Sequence, residues 1–136
     1  MKHLLTLLLL IMSIQVQAEM VVVVHKDSVV DTLSQQQVTN IFLAKTNRTS
    51  TGHRVTPVEL INSEYKSLFY EKITQKTLAQ INSYWMSLIF TGKGKPPKKL
   101  DNIQSLIDEL SVNSNAISYL PIDQTTTVMK VVYTFE

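Results

Sequence analysis

The sequence predicts an α/β fold in which helices flank a small mixed sheet, and three observations support this fold class. The run MVVVVH at 20–25 is rich in β-branched residues, as strands buried on both faces are. Helix-start patterns then alternate with further short strand patterns along the chain. No internal repeat or low-complexity tract interrupts them. Strands separated by helices indicate helices packed around a sheet.

The first eighteen residues predict a secretory signal peptide, and we assign residues 19–136 to a single domain. Lys2 and His3 precede an apolar run from Leu4 to Ile14, and a small-residue cleavage pattern ends at Ala18. The run is shorter than the roughly 20 residues that a transmembrane helix needs. Cleavage after Ala18 would place the protein in the periplasm or release it. An uncleaved membrane anchor is the alternative.

Composition excludes several function classes. The 136 residues include no cysteine, which excludes disulfides, thiolate metal sites and a cysteine nucleophile. The formal net charge is +2, and removing Lys2 with the leader lowers it to +1. Nucleic-acid binders usually carry a strongly basic domain, so near-neutrality argues against a nucleic-acid partner.

The first predicted helix follows the first strand. Ser34 is a suitable N-cap, and Gln37 stands at the third helical position, which together form a capping box. We expect this helix to bury Val38, Ile41 and Phe42 and to end near Lys45. After a polar turn, VTPVEL at 55–60 predicts a second strand, whose proline favours an edge or a strand end.

Two helices are predicted next. Ser63 can cap the first of them, and Thr77 with Gln80 forms a capping box for the second. The first has an apolar face made of Tyr65, Leu68, Phe69 and Ile73. The second has apolar residues at helical spacing, namely Leu78, Ile81, Trp85, Leu88 and Ile89. We expect Tyr84 and Phe90 to lie in the core as well.

The stretch FTGKGKPPKKL at 90–100 resembles a phosphate loop in composition only. A Walker loop needs Gly-Lys-Ser/Thr between a strand and a helix, whereas here proline follows Gly94-Lys95 and a helix precedes them. Gly92 is placed to end the helix in a left-handed conformation. We therefore expect a stiff connector with solvated lysines. The alternatives are that these lysines bind an anionic ligand, an anionic membrane or a nucleic acid.

The last part of the chain predicts one helix and two strands. Asp101 with Gln104 can start the helix, which would bury Ile103, Leu106, Ile107 and Leu110. NAISYL at 115–120 predicts a strand ended by Pro121, and residues 127–135 predict the final strand.

No residue pattern indicates catalysis or a metal site. His25 and His53 have no second histidine three or four residues away, and no Gly-x-Ser-x-Gly elbow is present. We therefore predict a non-enzymatic protein with no metal and no cofactor. The one site that helix physics favours is the start of the helix at Ser63, where backbone N–H groups and the helix dipole attract an anion. The alternative is that Ser63 only caps its own helix.

Several segments together resemble a known family. They are LSQQQVTNIFLAKT at 33–46, VTPVEL at 55–60, SLFYEKITQKTLAQINSYWMSLIFTGKGKPPKKL at 67–100 and NAISYLP at 115–121. They resemble the short, phosphate-binding-protein-like members of the periplasmic substrate-binding family (type 2 fold), often labelled phosphate ABC transporter substrate-binding proteins. The resemblance implies a single α/β lobe, whereas full-length members close two lobes on their ligand.

The resemblance also implies a site. Ser63 falls where a phosphate-contacting serine is expected, with Asn62 and Lys66 as neighbours. The glycine, threonine and upstream arginine of the family pattern are missing, and Glu59 and Glu64 add negative charge. Two functions follow as expectations. The first is weak binding of phosphate or another small oxyanion, alone or with a partner lobe or a second copy. The second is a periplasmic protein-interaction module that has kept the fold and lost the ligand.

Overall fold

The computed structural model describes residues 19–61 and 64–135. The predicted signal peptide, its cleavage point, Asn62 and Ser63 lie outside these residues. Within them, no helix is both long and apolar enough to cross a bilayer. The elements in chain order are β1 (Met20–His25), α1 (Gln35–Phe42), β2 (Thr56–Leu60), α2 (Tyr65–Thr74), α3 (Leu78–Phe90), β3 (Lys98–Leu100), α4 (Ile103–Val112), β4 (Ala116–Pro121), a 3₁₀ turn (Ile122–Gln124) and β5 (Met129–Thr134).

The five described strands form one mixed sheet in the order β3-β2-β4-β1-β5, as the predicted fold class requires. β2 pairs in parallel with β3 and with β4. β1 lies between β4 and β5 and is antiparallel to both. Consequently β2, β3, β4 and β5 all run in one direction and share a carboxyl edge.

The β-branched run of β1 divides its side chains between two cores. Val22 and Val24 pack with α1, α2 and α3 on one face of the sheet. Val21 and Val23 pack with α4 on the other face. Alternate residues of a strand point to opposite faces, which explains why an unbroken apolar run was needed.

Both predicted capping boxes are present. The Ser34 hydroxyl accepts from Gln37 N at 3.2 Å, and the Gln37 side chain accepts from Ser34 N at 2.8 Å. Thr77 and Gln80 repeat this arrangement at the start of α3. These reciprocal bonds satisfy backbone donors that have no partner within the helix.

Three predicted helix boundaries were wrong. α1 ends at Phe42, before Lys45, because Ala44 adopts a left-handed conformation with φ 56°. α2 begins at Tyr65 with Glu64 as its N-cap, so the capping position is not Ser63. α4 is capped by Asn102, whose side chain accepts from Ser105 N at 2.9 Å, and Asp101 is one residue too early.

The predictions for residues 89–100 were confirmed in part. Ile89 and Phe90 are exposed instead of buried, because α3 covers the sheet with Ile81 and Trp85 and turns its last residues to solvent. Gly92 ends the helix in the left-handed region, as predicted, with φ 68°. The end of the predicted stiff connector forms the edge strand β3 against β2, a pairing that the sequence did not predict.

Candidate functional site

The candidate site lies at the carboxyl edge of the sheet, where the topology changes direction. β2 and β4 are parallel neighbours. The chain leaving β2 passes through α2 and α3 to β3 on one side, and the chain leaving β4 continues to β5 on the other side. In open α/β sheets, ligands bind outside the carboxyl ends of strands at such a switch point. We refer to the chain from Leu60 to Lys66, with the 3₁₀ turn after β4, as the switch-point edge.

The predicted site residues all belong to the switch-point edge. Asn62 and Ser63 stand in the chain between β2 and α2 but lie outside the described residues. Lys66 lies in the first turn of α2 and is largely buried. The structure therefore describes one of the three side chains.

Lys66 forms an ion pair with a glutamate that lies in the core. Its Nζ is 3.2 Å from Oε1 of Glu59, whose side chain is 1% exposed, whereas that of Lys66 is 15% exposed. This Oε1 receives no well-aligned hydrogen bond from the described residues, so the contact is an ion pair at short distance without hydrogen-bond geometry. A buried carboxylate needs such compensation, because desolvation strongly disfavours an isolated charge.

The other oxygen of Glu59 accepts two tyrosine hydroxyls. Tyr70 of α2 donates to Oε2 at 3.1 Å, and Tyr119 of β4 donates to the same atom at 2.9 Å. Burial, followed by the charge of Glu59, raises the pKa of each tyrosine far above its ordinary value. Both hydroxyls therefore stay protonated and act as donors. We call Glu59, Lys66, Tyr70 and Tyr119 the Glu59 cluster.

The Glu59 cluster joins three elements around the switch point. β2 supplies the carboxylate, β4 supplies Tyr119, and α2 supplies Lys66 and Tyr70. The ring of Tyr119 also stacks on Phe69 of α2, with centroids 3.7 Å apart. These contacts fix the start of α2 against the ends of two central strands.

The charges around the start of α2 are mostly negative. Glu59 and Glu64 flank the segment that contains Asn62 and Ser63. Glu64 is the N-cap of α2, and Asp123 lies in the 3₁₀ turn after β4. The pKa of Tyr65 is raised by desolvation, then by the charge of Glu64 and a hydrogen bond to it, and last by the charge of Asp123. Lys66 supplies one positive charge against these three carboxylates, and its partner is Glu59.

The described residues do not assemble a metal site. No group of three or more histidine, cysteine, aspartate or glutamate side chains in ranges 19–61 and 64–135 could hold a metal ion. Glu59 is buried and is held by its three partners, so it is poorly placed to act as a base toward a ligand.

Sequence reasoning missed the Glu59 cluster. Glu59 was considered only as a charge beside the anion site, and Tyr70 was left out of the buried face of α2. One local signal pointed to this cluster: the strand pattern VTPVEL contains a single glutamate among apolar residues. The partner Tyr119 lies 60 residues away, and no local pattern connects the two.

Comparisons with known proteins find similarity at the level of the fold alone. No protein-family model and no curated protein sequence matches the chain. An ABC-type phosphate transport receptor from Vibrio cholerae has a TM-score of 0.65 at 11% identity over 85% of this chain. A protein from Clostridium perfringens, described as a phosphate ABC transporter substrate-binding protein and containing bound phosphate, has a TM-score of 0.65 at 17% identity, again over 85% of this chain.

The similarity covers part of the larger proteins. The chain spans 45% of the Vibrio receptor and 44% of the Clostridium protein. A protein from Planctomyces limnophilus, described as a phosphate-binding protein, is matched over 85% of this chain and 40% of its own length, with a TM-score of 0.61 and 14% identity. The chain therefore has the α/β fold found in phosphate ABC transporter substrate-binding proteins, which confirms the predicted resemblance at the level of the fold.

Proposed function

We propose that the protein is an exported, non-catalytic binding lobe that takes a small oxyanion such as phosphate at the start of α2. The observation that carries this proposal is the position of that helix start at the switch point of a fold shared with a phosphate-containing protein. Helix N-termini attract anions through their backbone N–H groups and their dipole. Ser63 and Asn62 are the proposed contacts.

Lys66 contributes to the proposed site despite its ion pair. A lysine ammonium has three donors, and the contact with Glu59 is an ion pair without hydrogen-bond geometry, so it satisfies none of them fully. We propose that these donors face an anion bound in front of α2. In this arrangement Glu59 positions Lys66 and partly neutralises it, which lowers the affinity for an anion.

A single lobe is expected to bind weakly. Phosphate loses its hydration on binding and needs several charge-assisted hydrogen bonds in exchange. The chain spans less than half of the similar phosphate proteins. We propose that a partner lobe or a second copy supplies further donors. We expect a dissociation constant on the order of 1 mM for the chain alone.

Calorimetry with phosphate and with sulfate tests this proposal at low salt. Ser63→Ala should weaken binding several-fold, whereas Ser67→Ala, an exposed serine on α2, should leave it unchanged. Absence of heat with both anions at several times the expected dissociation constant would refute oxyanion binding by the lobe. Mass spectrometry of the exported protein tests the leader, and a first residue other than Glu19 would contradict cleavage after Ala18.

A second function is favoured by the charges at the switch-point edge. The single described lysine of this edge is paired with Glu59, and Glu64 and Asp123 add two more negative charges to the same edge, which disfavours an anion and favours a protein-interaction module. Such a module would form a stable complex or a homodimer that does not respond to phosphate. Size-exclusion chromatography with light scattering, with and without phosphate, separates the two functions.

A further inference from the structure

A groove with a volume of about 740 Å³ lies at the opposite edge of the sheet, where β2 and β3 begin. Its walls come from the end of α1 with the turn after it (41, 42 and 44–47), the start of β2 (54–57) and the connector (94–98). We call this cavity the basic groove. Its size is typical of ligand sites in proteins. The proposed oxyanion site lies at the other edge of the sheet.

The charged residues that line the basic groove are all positive. They are Lys45, Arg54, Lys95 and Lys98, and no aspartate or glutamate lines it. Lys98 pairs with Glu109 at 3.0 Å. For Lys45, Arg54 and Lys95, no carboxylate within the described part of the chain lies at ion-pair distance. Three exposed cations thus face one cavity without compensation.

The dipole of α1 accounts for only one of these cations. Lys45 follows the C-terminal end of α1, where a positive charge is favourable in any case. Arg54 precedes β2, and Lys95 lies in the connector, so neither belongs to the last turn of a helix. Their placement on two different walls is the feature that indicates an anionic ligand.

The groove also has apolar walls held in a fixed position. Phe42 and Val55 are buried beneath it, and Pro96 with Pro97 stiffens the connector. A methyl group at Gly94 would lie 3.1 Å from Leu88 and 3.5 Å from Ala44, so the connector packs closely against α3 and the turn after α1. The wall that carries Lys95 is therefore set by packing.

We propose that the basic groove binds an acidic peptide segment of a partner protein. The cations belong to three separate segments, which suits a ligand with several carboxylates along its length better than one compact anion. The apolar walls suit aliphatic side chains between those carboxylates. A nucleic acid fits less well, because the net charge is only +2 and no exposed aromatic residue lines the groove for base stacking.

Fluorescence polarisation tests this proposal with a labelled twelve-residue peptide that alternates glutamate and leucine. The protein is produced from the complete 136-residue sequence. Arg54→Glu with Lys95→Glu should weaken binding about tenfold, because two attractions become repulsions. Arg54→Gln with Lys95→Gln should give a smaller loss in the same direction.

The matched control is Lys26→Glu with Lys76→Glu, two exposed positions outside the groove. It changes the net charge by the same amount, and it should change the affinity for the peptide less than about twofold.

Three results would overturn the proposal. The first is equal weakening in the groove variant and in the control, since that would show attraction by net charge alone. The second is binding of succinate or of a single-stranded oligonucleotide as tight as that of the peptide. The third is a set of peptide-induced amide shifts, measured by NMR, that maps outside residues 41–47, 54–57 and 94–98.

Discussion

Tyr119 donates its hydroxyl to Oε2 of Glu59 across 2.9 Å, which joins the neighbouring strands β4 and β2 through their side chains. Both residues are nearly inaccessible to solvent, with exposures of 3% for Tyr119 and 1% for Glu59. A hydrogen bond to a buried charge is stronger than one between neutral groups. The Glu59 cluster is therefore expected to matter for stability independently of any ligand.

Tyr119→Phe should destabilise the protein by about 2 kcal/mol, because a buried carboxylate loses one of its two hydroxyl donors. Urea unfolding followed by circular dichroism measures this change. Tyr133→Phe is the matched control, since its hydroxyl reaches Gln35 at 3.4 Å in an exposed position, and we expect a change below about 0.5 kcal/mol. Equal losses in the two variants would contradict the role of Glu59 as a strong acceptor.

Lys66→Met should lower the free energy of unfolding by about 2 to 3 kcal/mol. This is slightly less than removing one partner from a fully buried ion pair costs, because Lys66 is partly exposed. Adding Glu59→Gln should recover part of this loss, since the amide leaves no uncompensated charge. A double-mutant cycle by urea unfolding gives the coupling, which we expect to exceed about 1 kcal/mol. Additive losses would show that the 3.2 Å contact contributes nothing.

Stability should fall above about pH 10 because of Tyr70 and Tyr119. Burial, together with Glu59, raises the pKa of both tyrosines, so the folded protein keeps two protons that the unfolded chain releases above its ordinary tyrosine pKa. Their contribution is complete below pH 10 and is lost as the pH rises toward the folded values. Each tyrosine should steepen the fall in the free energy of unfolding, by up to about 1.4 kcal/mol per pH unit. Between about pH 10 and about pH 11, the free energy of unfolding of Tyr119→Phe should fall less steeply by about 1 kcal/mol per pH unit, because the unfolded tyrosine is only half deprotonated at pH 10. Identical slopes would contradict this expectation.

Local sequence patterns predicted the fold well because most elements are specified by adjacent residues. The capping boxes at Ser34 and Thr77 each use a side chain and a backbone group three positions apart, so the sequence contains the whole arrangement. The boundary errors occurred where two neighbouring residues could serve the same role. Asn102 caps α4 although Asp101 has the same kind of side chain.

Nonlocal features could not be predicted in the same way. Strand β3 has three residues and follows two prolines, so it exists through its pairing with β2 and carries no strand pattern of its own. The Glu59 cluster depends on contacts across 60 positions, and the basic groove combines three separate segments. The likeness of the connector to a phosphate loop was correctly rejected, yet Lys95 and Lys98 within it line that groove.

Thr77→Ala should destabilise the protein by about 1 kcal/mol. Its hydroxyl accepts from Gln80 N at 3.3 Å, and α3 carries the buried residues Ile81 and Trp85 that hold it to the core. Thermal unfolding measures the loss. Thr91→Ala, at the other end of the same helix, is the control, because its exposed hydroxyl donates to a carbonyl that can bond to water instead. A loss in Thr91→Ala as large as that in Thr77→Ala would show that the cap has no special effect.

Phe90→Ser should leave the free energy of unfolding within about 0.5 kcal/mol of the parent, because the ring is 93% exposed and packs against little of the core. Phe69 is the contrasting case, because its ring is fully buried and contacts Phe42, Tyr70 and Tyr119. Phe69→Ala should lower the free energy of unfolding by about 4 kcal/mol in the same urea measurement.

Phe90, Met86 and Ile89 are exposed apolar residues at the end of α3. Phe90→Ser should therefore also reduce self-association at high concentration, measured by light scattering. A loss of stability above about 1 kcal/mol in Phe90→Ser would mean that the ring packs in the folded protein, contrary to its exposure.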